Sequence, residues 1–576
     1  MTRSESNAQD AKQMAGAEIL WEILALEGVE IVFGYPGGAI MPAYDALPKY
    51  PQIHHVLARH EQGAIHMADG FARASGRTGV VIATSGPGAT NLVTGLGTAM
   101  MDSIPLVAVT GQVPSTVMGS DAFQETDILG ITIPVTKHGF LVTRAEDIAK
   151  TLREAFALAK SGRPGPVLVD ITKDALNAIV GLNDPGPTTI HRPRIEAPGF
   201  SDADLDAAAA LIANAKRPLI LAGQGVISAK ATAQLEAFVE RTDMPVACTL
   251  LGLGCFSTQH TRNLGMMGMH GEAWVNKAIQ QADLLVAIGM RFDDRVTGNL
   301  KTYALEAKKI HIEFDPSEIN KVVKVDVGLC GDAAAVLDRL LLKVAQRDCA
   351  PWIASIAEMH TVDRTHDILA QADDGRLKAP QVLHDLWVLT EGRAVVATDV
   401  GQHQMWEAQY YKHDTPRSLI TSGGLGTMGF ALPAAIGAKF ARPEAEVWVV
   451  AGDGGFQMTA AELCTTVQEG VKVNIAIINN GFLGMVRQWQ QFFYERRYVS
   501  TPMLSPDFVK LAEAHGLTGI RVTSRDQIPA AVAKARATPG TVLIEFQVVE
   551  EDSVYPMVPA GKDLADMIRR PKTEAS

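Results

Sequence analysis

Apolar and polar positions alternate between two periodicities along most of the chain. Short runs of β-branched and apolar residues predict buried strands, and the segments between them repeat apolar positions at helical spacing. Strands that alternate with helices are typical of parallel sheets covered by helices on both faces. The pattern therefore predicts an α/β fold of doubly wound parallel sheets. The clearest predicted strands lie at 31–34, 53–58, 79–84, 106–110, 166–170, 218–222, 284–288 and 309–314.

This alternation is interrupted twice, which predicts three α/β domains. The stretch 181–200 is rich in Pro, Gly and Asn and indicates a linker, whereas 347–376 is helical and polar and indicates a connector. A length of 576 residues fits three or four domains. The tail is expected either to fold over a site or to fray. The predicted bounds are 1–185 for the first domain, 200–346 for the central domain, 347–377 for the connector, 378–553 for the third domain and 554–576 for the tail.

Composition narrows the classes of function. A net charge of −12 argues against nucleic acid and anionic membranes as partners. The sequence contains no run of 18 apolar residues, so no segment is expected to span a bilayer. The polar N-terminus lacks the features of a signal or transit peptide. The five cysteines are odd in number and form no C-x-x-C pair, which is typical of a reducing cytoplasm without a disulfide framework.

The segment 447–480 carries the strongest chemical signal. Two apolar runs flank one amphipathic helix, which predicts a βαβ unit with adjacent parallel strands. Asp453 follows the first strand and Asn480 the second, so both face the crevice at the carboxyl edge of the sheet. A carboxylate, a carboxamide and a nearby carbonyl, that of Phe482, are hard oxygen ligands suited to Mg²⁺ on a diphosphate. Gly454 and Gly455 would let the backbone approach the phosphates, with a helix starting near Phe456.

Two turns that happen to flank a crossover would give the same residues. However, the 24-residue separation of Gly-Asp-Gly from Asn-Asn resembles the signature of thiamine diphosphate enzymes. Such an enzyme needs a carboxyl group at N1′ of the aminopyrimidine to relay a proton. Glu61, at a strand end before the predicted helix 64–74, is the acid that we assign. Taken alone, a Glu at this position is better explained by the helix macrodipole; the downstream pair reverses that preference and favours the catalytic interpretation.

Six further motifs occur in order along the chain. They are Tyr-Pro-Gly-Gly at 35–38, Arg-His-Glu-Gln-Gly-Ala at 59–64, Thr-Ser-Gly-Pro-Gly-Ala-Thr-Asn at 84–91, Ala-Phe-Gln-Glu at 122–125, Thr-Ser-Gly-Gly-Leu-Gly-Thr-Met-Gly at 421–429 and Gly-Met-Val-Arg-Gln-Trp-Gln at 484–490. Together they resemble the catalytic large subunits of acetohydroxyacid (acetolactate) synthases, from about Ala15 to Gly561. The spacing Gly424-x-Gly426-x-x-Gly429 also spells a dinucleotide fingerprint, which we reject because the preceding strand is short and no acidic residue follows.

The resemblance implies pyrimidine-binding, central and diphosphate-binding domains. It places thiamine diphosphate between the first domain of one subunit and the third domain of another, hence a homodimer or tetramer, with a small regulatory subunit as a further partner. Met428 would hold the cofactor bent, although core packing is the commoner role of a methionine. The implied cofactor residues are Gly34, Pro36, Gly37, Glu61, Gln402, His403, Gly426, Met428, Gly452, Asp453, Gly454, Gly455 and Asn480, with Asp453, Asn480 and Phe482 on Mg²⁺.

The central domain has glycine, arginine and acidic residues after successive strands. Strand-end glycines and arginines suit a phosphate, and an acid after a strand suits a ribose hydroxyl. Alone, this predicts a nucleotide-like ligand or vestigial loops, and the resemblance implies FAD. The implied FAD residues are Arg163, Gly223, Met269, His270, Arg291, Asp293, Arg295, Glu313 and Asp332.

The implied reaction decarboxylates pyruvate and joins the two-carbon unit to a second 2-oxo acid. Pyruvate as acceptor gives 2-acetolactate and 2-oxobutyrate gives 2-aceto-2-hydroxybutyrate, in the biosynthesis of valine, leucine and isoleucine. The implied substrate residues are Arg291 for a carboxylate, Trp489 as an apolar wall, and Gln124, Phe123 and Lys173 along the channel. Packing for Trp489 and a solvated amine for Lys173 are the alternatives. Rival functions are another thiamine diphosphate decarboxylase or oxidase, or a non-catalytic nucleotide-binding scaffold.

Overall fold

The computed structural model describes residues 12–187 and 199–572. Most of the predicted linker 181–200 and the first eleven residues therefore lie outside the described part of the chain. The described residues contain three six-stranded sheets in which all neighbouring strands are parallel, so the predicted fold class is confirmed. The exact domain bounds stay a prediction. No helix in 12–187 or 199–572 is long and apolar enough to cross a membrane.

The first sheet has the strand order β3-β2-β4-β5-β7-β6. Its central strands are buried along their whole length, as expected for a sheet covered on both faces. In chain order the elements are β1 Gln13–Ala15, α1 Gly16–Leu26, β2 Ile31–Gly34, α2 Met41–Ala46, β3 His54–Leu57, α3 Glu61–Ser75, β4 Gly79–Ala83, α4 Pro87–Thr90, α5 Val93–Met101, β5 Leu106–Gln112, α6 Ile128–Thr132, β6 His138–Val142, α7 Ile148–Lys160, β7 Pro166–Thr172, α8 Lys173–Asn177 and β8 Ile179–Gly181.

The central sheet has the order β11-β10-β9-β12-β13-β14. Its elements are α9 Asp202–Asn214, β9 Pro218–Ala222, α10 Gln224–Ser228, α11 Thr232–Thr242, β10 Val246–Cys248, β11 Asn263–Met266, α12 Ala273–Gln281, β12 Leu284–Ile288, α13 Asp294–Thr297, β13 Lys308–Glu313, β14 Val327–Cys330 and α14 Ala333–Leu341, and the connector carries α15 Ala350–Arg364.

The third sheet has the order β16-β15-β17-β18-β20-β19. Its elements are α16 Ala379–Leu389, β15 Val395–Thr398, α17 Gln402–Tyr410, β16 Leu419–Thr421, α18 Ala431–Ala441, β17 Val447–Gly452, α19 Asp453–Thr459, α20 Leu463–Gln468, β18 Asn474–Asn479, α21 Gly484–Phe493, α22 Phe508–Ala514, β19 Thr518–Val522, α23 Ile528–Ala537 and β20 Val542–Gln547.

Three local expectations differ from the structure. Helix α3 starts at Glu61, three residues before the predicted start, because the His60 ring caps it by accepting the N–H of Gln62 at 3.0 Å. The helix after β17 starts at Asp453 and not near Phe456, and a 3₁₀ turn at 460–462 divides the run that was predicted to be continuous. The antiparallel pair β1–β8 was missed, since strands of three residues show no periodicity.

Helix α3 packs directly on α18 and so joins the first and third domains. A β-carbon at Gly437 would overlap the carbonyl oxygen of Met67, and one at Gly70 would overlap that of Ala434. The backbones approach this closely only because both positions are glycine. The buried residues on both sides form one continuous apolar core.

A buried ionic network extends this junction to the loop after β16. Arg73 of α3 pairs with Asp69 and, at 2.9 Å, with Asp102. Asp102 accepts the N–H groups of Gly423 and Gly424 at 3.0 and 2.7 Å. The position of the 421–429 motif therefore depends on the first domain.

The junction generates a stability prediction. Gly437→Ala should force α3 and α18 apart and lower the free energy of unfolding by about 1–3 kcal/mol, as overpacked core substitutions do. Calorimetric unfolding measures the change. Gly540→Ala is the matched control, because no atom lies within 4 Å of a β-carbon there. Equal stability of the two variants would contradict the packing analysis.

Candidate active site

The carboxyl ends of β17 and β18 bring Asp453 and Asn480 to one edge of the third sheet. Asp453 is buried, and its Oδ2 accepts the Ser505 hydroxyl at 3.0 Å. Asn480 donates to Gln402 Oε1 at 3.2 Å and accepts the N–H of Phe482 at 3.2 Å, which folds the Phe482 backbone onto the amide. Burial raises the pKa of Asp453 to about 6, and the Ser505 hydroxyl opposes that shift.

This donor set fits Mg²⁺ held together with a phosphate. No group of three or more His, Cys, Asp or Glu side chains within the described residues could bind a metal. A metal at this edge would therefore be held by one carboxylate, one amide oxygen, one backbone carbonyl and oxygens from a ligand, as Mg²⁺ tolerates. The assignment of Asp453, Asn480 and Phe482 as its ligands stays a prediction.

His403 supplies a second feature that suits a diphosphate. Its Nε2 is buried and has no hydrogen-bond partner in the described part of the chain. Glycines 401 and 452 leave room for the ring, since β-carbons there would lie 2.8 Å from ring atoms. A buried polar nitrogen without a hydrogen-bond partner destabilises the folded protein unless a ligand provides that partner. Burial also lowers the pKa of His403 to about 3.

The two glycines after β17 are closely packed within the chain. A β-carbon at Gly454 would lie 2.8 Å from Leu483, and one at Gly455 would lie 2.6 Å from the Asp399 carboxylate. Gly426 differs, because its φ is +72° and only Val400 lies within 4 Å of its β-carbon position. Open backbone for a ligand is thus provided at Gly426, whereas the structure gives Gly454 and Gly455 a steric reason.

The first sheet forms a separate half of the candidate site. Glu61 is buried at the start of α3, and its Oε2 accepts the Asn91 side-chain amide at 2.9 Å. The loop with Pro36 and Gly37 follows β2, and the Ala39 N–H joins it to the Thr84 hydroxyl at 3.3 Å. A β-carbon at Gly34 would overlap Ile82, and one at Gly37 would overlap Thr84. The strand-end loops at 34–38 and 84–91 therefore meet beside Glu61.

A cavity of about 890 Å³ connects the three domains. It gathers most of the residues that were predicted to contact FAD, together with residues of the third domain. The predicted residues that line it are Arg163, Met269, His270, Arg291, Asp293, Arg295, Glu313, Asp332, Gly426, Met428 and Trp489. Gly223 does not line the cavity, but Gln224 and Gly225 do.

The groups in this cavity fit a dinucleotide. Glu313 ends β13, accepts the N–H groups of Phe314 and Asp315 at 2.8 and 3.1 Å, and has its pKa raised by burial. Arg291 and Arg295 can supply bidentate donors for a diphosphate, whereas Arg163 already donates to Ser103, Met101 and Glu318. Two of the predicted contacts already have structural roles, since Asp332 caps α14 and Asp293 caps α13.

The predicted substrate residues are divided between two places. Arg291 and Trp489 line the large cavity, where the Trp489 ring packs against Phe493 at 5.2 Å between centroids. Phe123, Gln124 and Lys173 lie on the first domain and do not line that cavity, and neither do Glu61, Asp453 and Asn480. We call the surroundings of Glu61 on the first domain and the Asp453–Asn480 edge of the third sheet the two half-sites.

Four polar residues that the sequence analysis missed support these half-sites. Asn91 holds Glu61, and Ser505 holds Asp453. Asp399 is buried at the end of β15, accepts the N–H groups of Val400 and Gly429 at 2.8 and 2.9 Å, and so fixes the turn with Met428. Glu462 accepts the N–H groups of Arg59 and His60 at 3.1 and 3.2 Å. Of these four residues, only Asp399 could have been found from the sequence, because it is an acid directly after an apolar strand, as Asp453 is.

Comparison with known proteins gives matches over all three domains. Residues 14–131 match the N-terminal TPP binding domain of thiamine pyrophosphate enzymes, 205–340 the central domain, and 399–546 the C-terminal TPP binding domain. The chain is 47% identical to the acetolactate synthase large subunit of Corynebacterium glutamicum, over 98% of this chain and 91% of that protein. It is 45% identical to the acetolactate synthase isozyme 2 large subunit of Escherichia coli K12, over 97% and 100%.

The hydroxyl on Asp453 generates a prediction about metal binding. Ser505→Ala should raise the Mg²⁺ concentration for half-maximal binding of thiamine diphosphate roughly tenfold or more, since removal of an outer-shell partner weakens metal sites by that amount. Quenching of intrinsic fluorescence during a Mg²⁺ titration measures it. Ser505→Thr keeps the hydroxyl and should restore the wild-type value. An unchanged Mg²⁺ requirement in Ser505→Ala would contradict a role for Ser505 in holding the Asp453 carboxylate for the metal.

Proposed function

Because the chain belongs to the family of acetolactate synthase large subunits, we propose that it decarboxylates pyruvate and joins the two-carbon unit to a second 2-oxo acid. The products are 2-acetolactate and 2-aceto-2-hydroxybutyrate, on the route to the branched-chain amino acids. The observation that carries this proposal is the pair of half-sites: the Glu61–Asn91 pair on the first sheet and the Asp453–Asn480 edge on the third.

Thiamine diphosphate, when bound, supplies the carbanion chemistry that cleaves a 2-oxo acid beside its carbonyl. Asp453, Asn480 and the Phe482 carbonyl would hold Mg²⁺ on its diphosphate, with His403 Nε2 available to a phosphate oxygen. The carboxyl group of Glu61 would exchange a proton with N1′ of the aminopyrimidine. Asn91 orients that carboxyl group through a 2.9 Å hydrogen bond.

We propose that each active site uses two chains. Exposed apolar residues flank both half-sites: Phe123 is 88% exposed beside Gln124, and Leu504 is 100% exposed beside Ser505. A second chain that covers these side chains would remove their apolar surface from water. Pairing two copies would bring Glu61, Gln124 and Lys173 of one chain to Met428 and Asp453 of the other.

The large cavity would hold FAD and the second substrate. The arginines and Glu313 would bind the diphosphate and a ribose hydroxyl, and Arg291 would anchor the carboxylate of the acceptor. Trp489 provides an apolar wall that can favour an ethyl over a methyl group, by about 1–3 kcal/mol for one methylene. Exclusion of water from this region would favour carboligation over release of an aldehyde. The similarity to large subunits supports a smaller regulatory partner.

The activity itself is the first test. Purified protein with thiamine diphosphate and Mg²⁺ should convert pyruvate to 2-acetolactate, which is measured colorimetrically after acid decarboxylation to acetoin. Removal of Mg²⁺ by a chelator should abolish turnover, since the diphosphate is held through the metal. Release of acetaldehyde alone, or oxygen uptake that matches pyruvate consumption, would contradict the proposal.

Mixing two inactive variants tests whether the site is shared. Glu61→Gln and Asp453→Asn should each abolish 2-acetolactate formation, while the exposed control Glu240→Gln should not. Co-expression of the two inactive chains should restore about a quarter of the wild-type activity, because half of randomly formed dimers are hybrids with one intact site in two. Failure of the mixture to regain activity would place Glu61 and Asp453 in the same chain's site.

A further inference from the structure

A second cavity, of about 480 Å³, is lined by the central domain, the connector, the third domain and the tail. It is lined by α12, the end of α15, the end of α17 and the tail residues Tyr555 and Arg570. None of the residues assigned above to cofactor or substrate lines it, although Met266 lines both cavities. A volume in this range can hold a small metabolite.

Two acceptor groups in this cavity have no donor. Gln409 is 6% exposed; its Nε2 donates to the carbonyls of His270 at 2.8 Å and Tyr555 at 3.1 Å, which fixes the orientation of its amide. Its Oε1 is therefore left buried without a partner among the described residues. The Glu272 carboxylate makes no hydrogen bond or ion pair within the described chain, and burial raises its pKa to about 7. Both groups can accept a hydrogen bond from a ligand, and a positively charged donor would suit Glu272.

The other acids that line the cavity already have partners. Asp363 pairs with Lys277 at 3.0 Å, and Asp367 accepts the Tyr410 hydroxyl at 3.3 Å. Glu272 is thus distinguished from its acidic neighbours by having no hydrogen bond or ion pair, although the charge of Lys412 opposes the rise in its pKa. Its carboxylate is the natural position for an ammonium group.

Cations and rings complete the lining. The Lys412 ammonium group donates one hydrogen bond to the backbone carbonyl of Gln409 at 2.6 Å, which leaves its other two hydrogens available. Arg364 forms no ion pair within the described residues. The His360 ring packs against Trp274 at an interplanar angle of 50°, with 4.2 Å between the ring centroids. Trp387 and Phe256 add apolar wall. The cavity therefore offers an unpaired carboxylate, cationic side chains and an apolar surface.

We propose that this cavity binds a free α-amino acid with an apolar side chain. Its ammonium group would lie on Glu272 and Gln409 Oε1, its carboxylate would lie toward Lys412 and Arg364, and its side chain would pack on the aromatic wall. A zwitterion supplies a donor to the unpaired acceptors and an anion to the cations at once, which an amine or a carboxylic acid alone does not. Because Gln409 also holds the carbonyl of His270, occupancy would reach the wall of the larger cavity.

Equilibrium dialysis of the holoenzyme, without pyruvate, tests the site. L-phenylalanine or L-leucine should bind saturably at one site per chain. For the L-phenylalanine series, 2-phenylethylamine and 3-phenylpropanoate should each bind roughly tenfold or more weakly, since each lacks one charged hydrogen-bonding end. Glu272→Gln and Lys412→Met should weaken amino acid binding by about tenfold or more. Glu240→Gln, an exposed acid of the same domain, should bind as the wild type does.

A variant whose FAD content and thermal midpoint equal those of the wild type is folded. The two variants remove groups of opposite charge. The proposal is overturned by absent saturable binding of both amino acids. It is also overturned if the folded variants bind as tightly as the wild type, or if either single-ended analogue matches the amino acid. Since no pyruvate is present, these results are independent of the carboligation assay.

Discussion

The contact between α3 and α18 is the constraint on which the geometry of both half-sites depends. Helix α3 begins with Glu61, and α18 follows the turn that carries Met428. Glycines at the crossing let the two backbones touch, and the buried Arg73–Asp102 pair ties the same helix to the loop at 423–424. Within one chain, this packing fixes the first and third domains while keeping Glu61 outside the cavity that contains Met428.

Buried carboxylates with raised pKa values recur in the first and third sheets. Asp453 and Asp399 follow strands of the third sheet, and Asp170 lies in β7 of the first. Burial raises the pKa of each to about 6. Their hydrogen-bond donors are hydroxyl, amide and backbone N–H groups, and no cation pairs with them among the described residues. Because no cation neutralises these carboxylates among the described residues, Asp453 can still bind a metal.

The two cavities use different chemistry. The large one combines arginines with Glu313 and methionines, which suits a dinucleotide beside an anionic substrate. The smaller one has an unpaired acid and an unpaired amide oxygen beside cations and rings, which suits a zwitterion. Gln409 lies between them, because its amide holds the backbone of His270 on one side and that of Tyr555 on the other. The tail thus folds onto the domain junction, one of the two alternatives expected for it.

The sequence by itself determined the three parallel α/β sheets, because buried strands and amphipathic helices have distinct local periods. It also determined which residue types stand at strand ends, and its motifs placed the chain in its family. Only the tertiary structure decided that Asn91 holds Glu61, that Ser505 holds Asp453 and that Gly454 and Gly455 lie against Leu483 and Asp399, since these partners come from distant segments with no spacing rule. The packing of the helix that begins at Glu61 on the helix that follows Met428 is likewise tertiary, and a one-dimensional pattern does not encode that crossing.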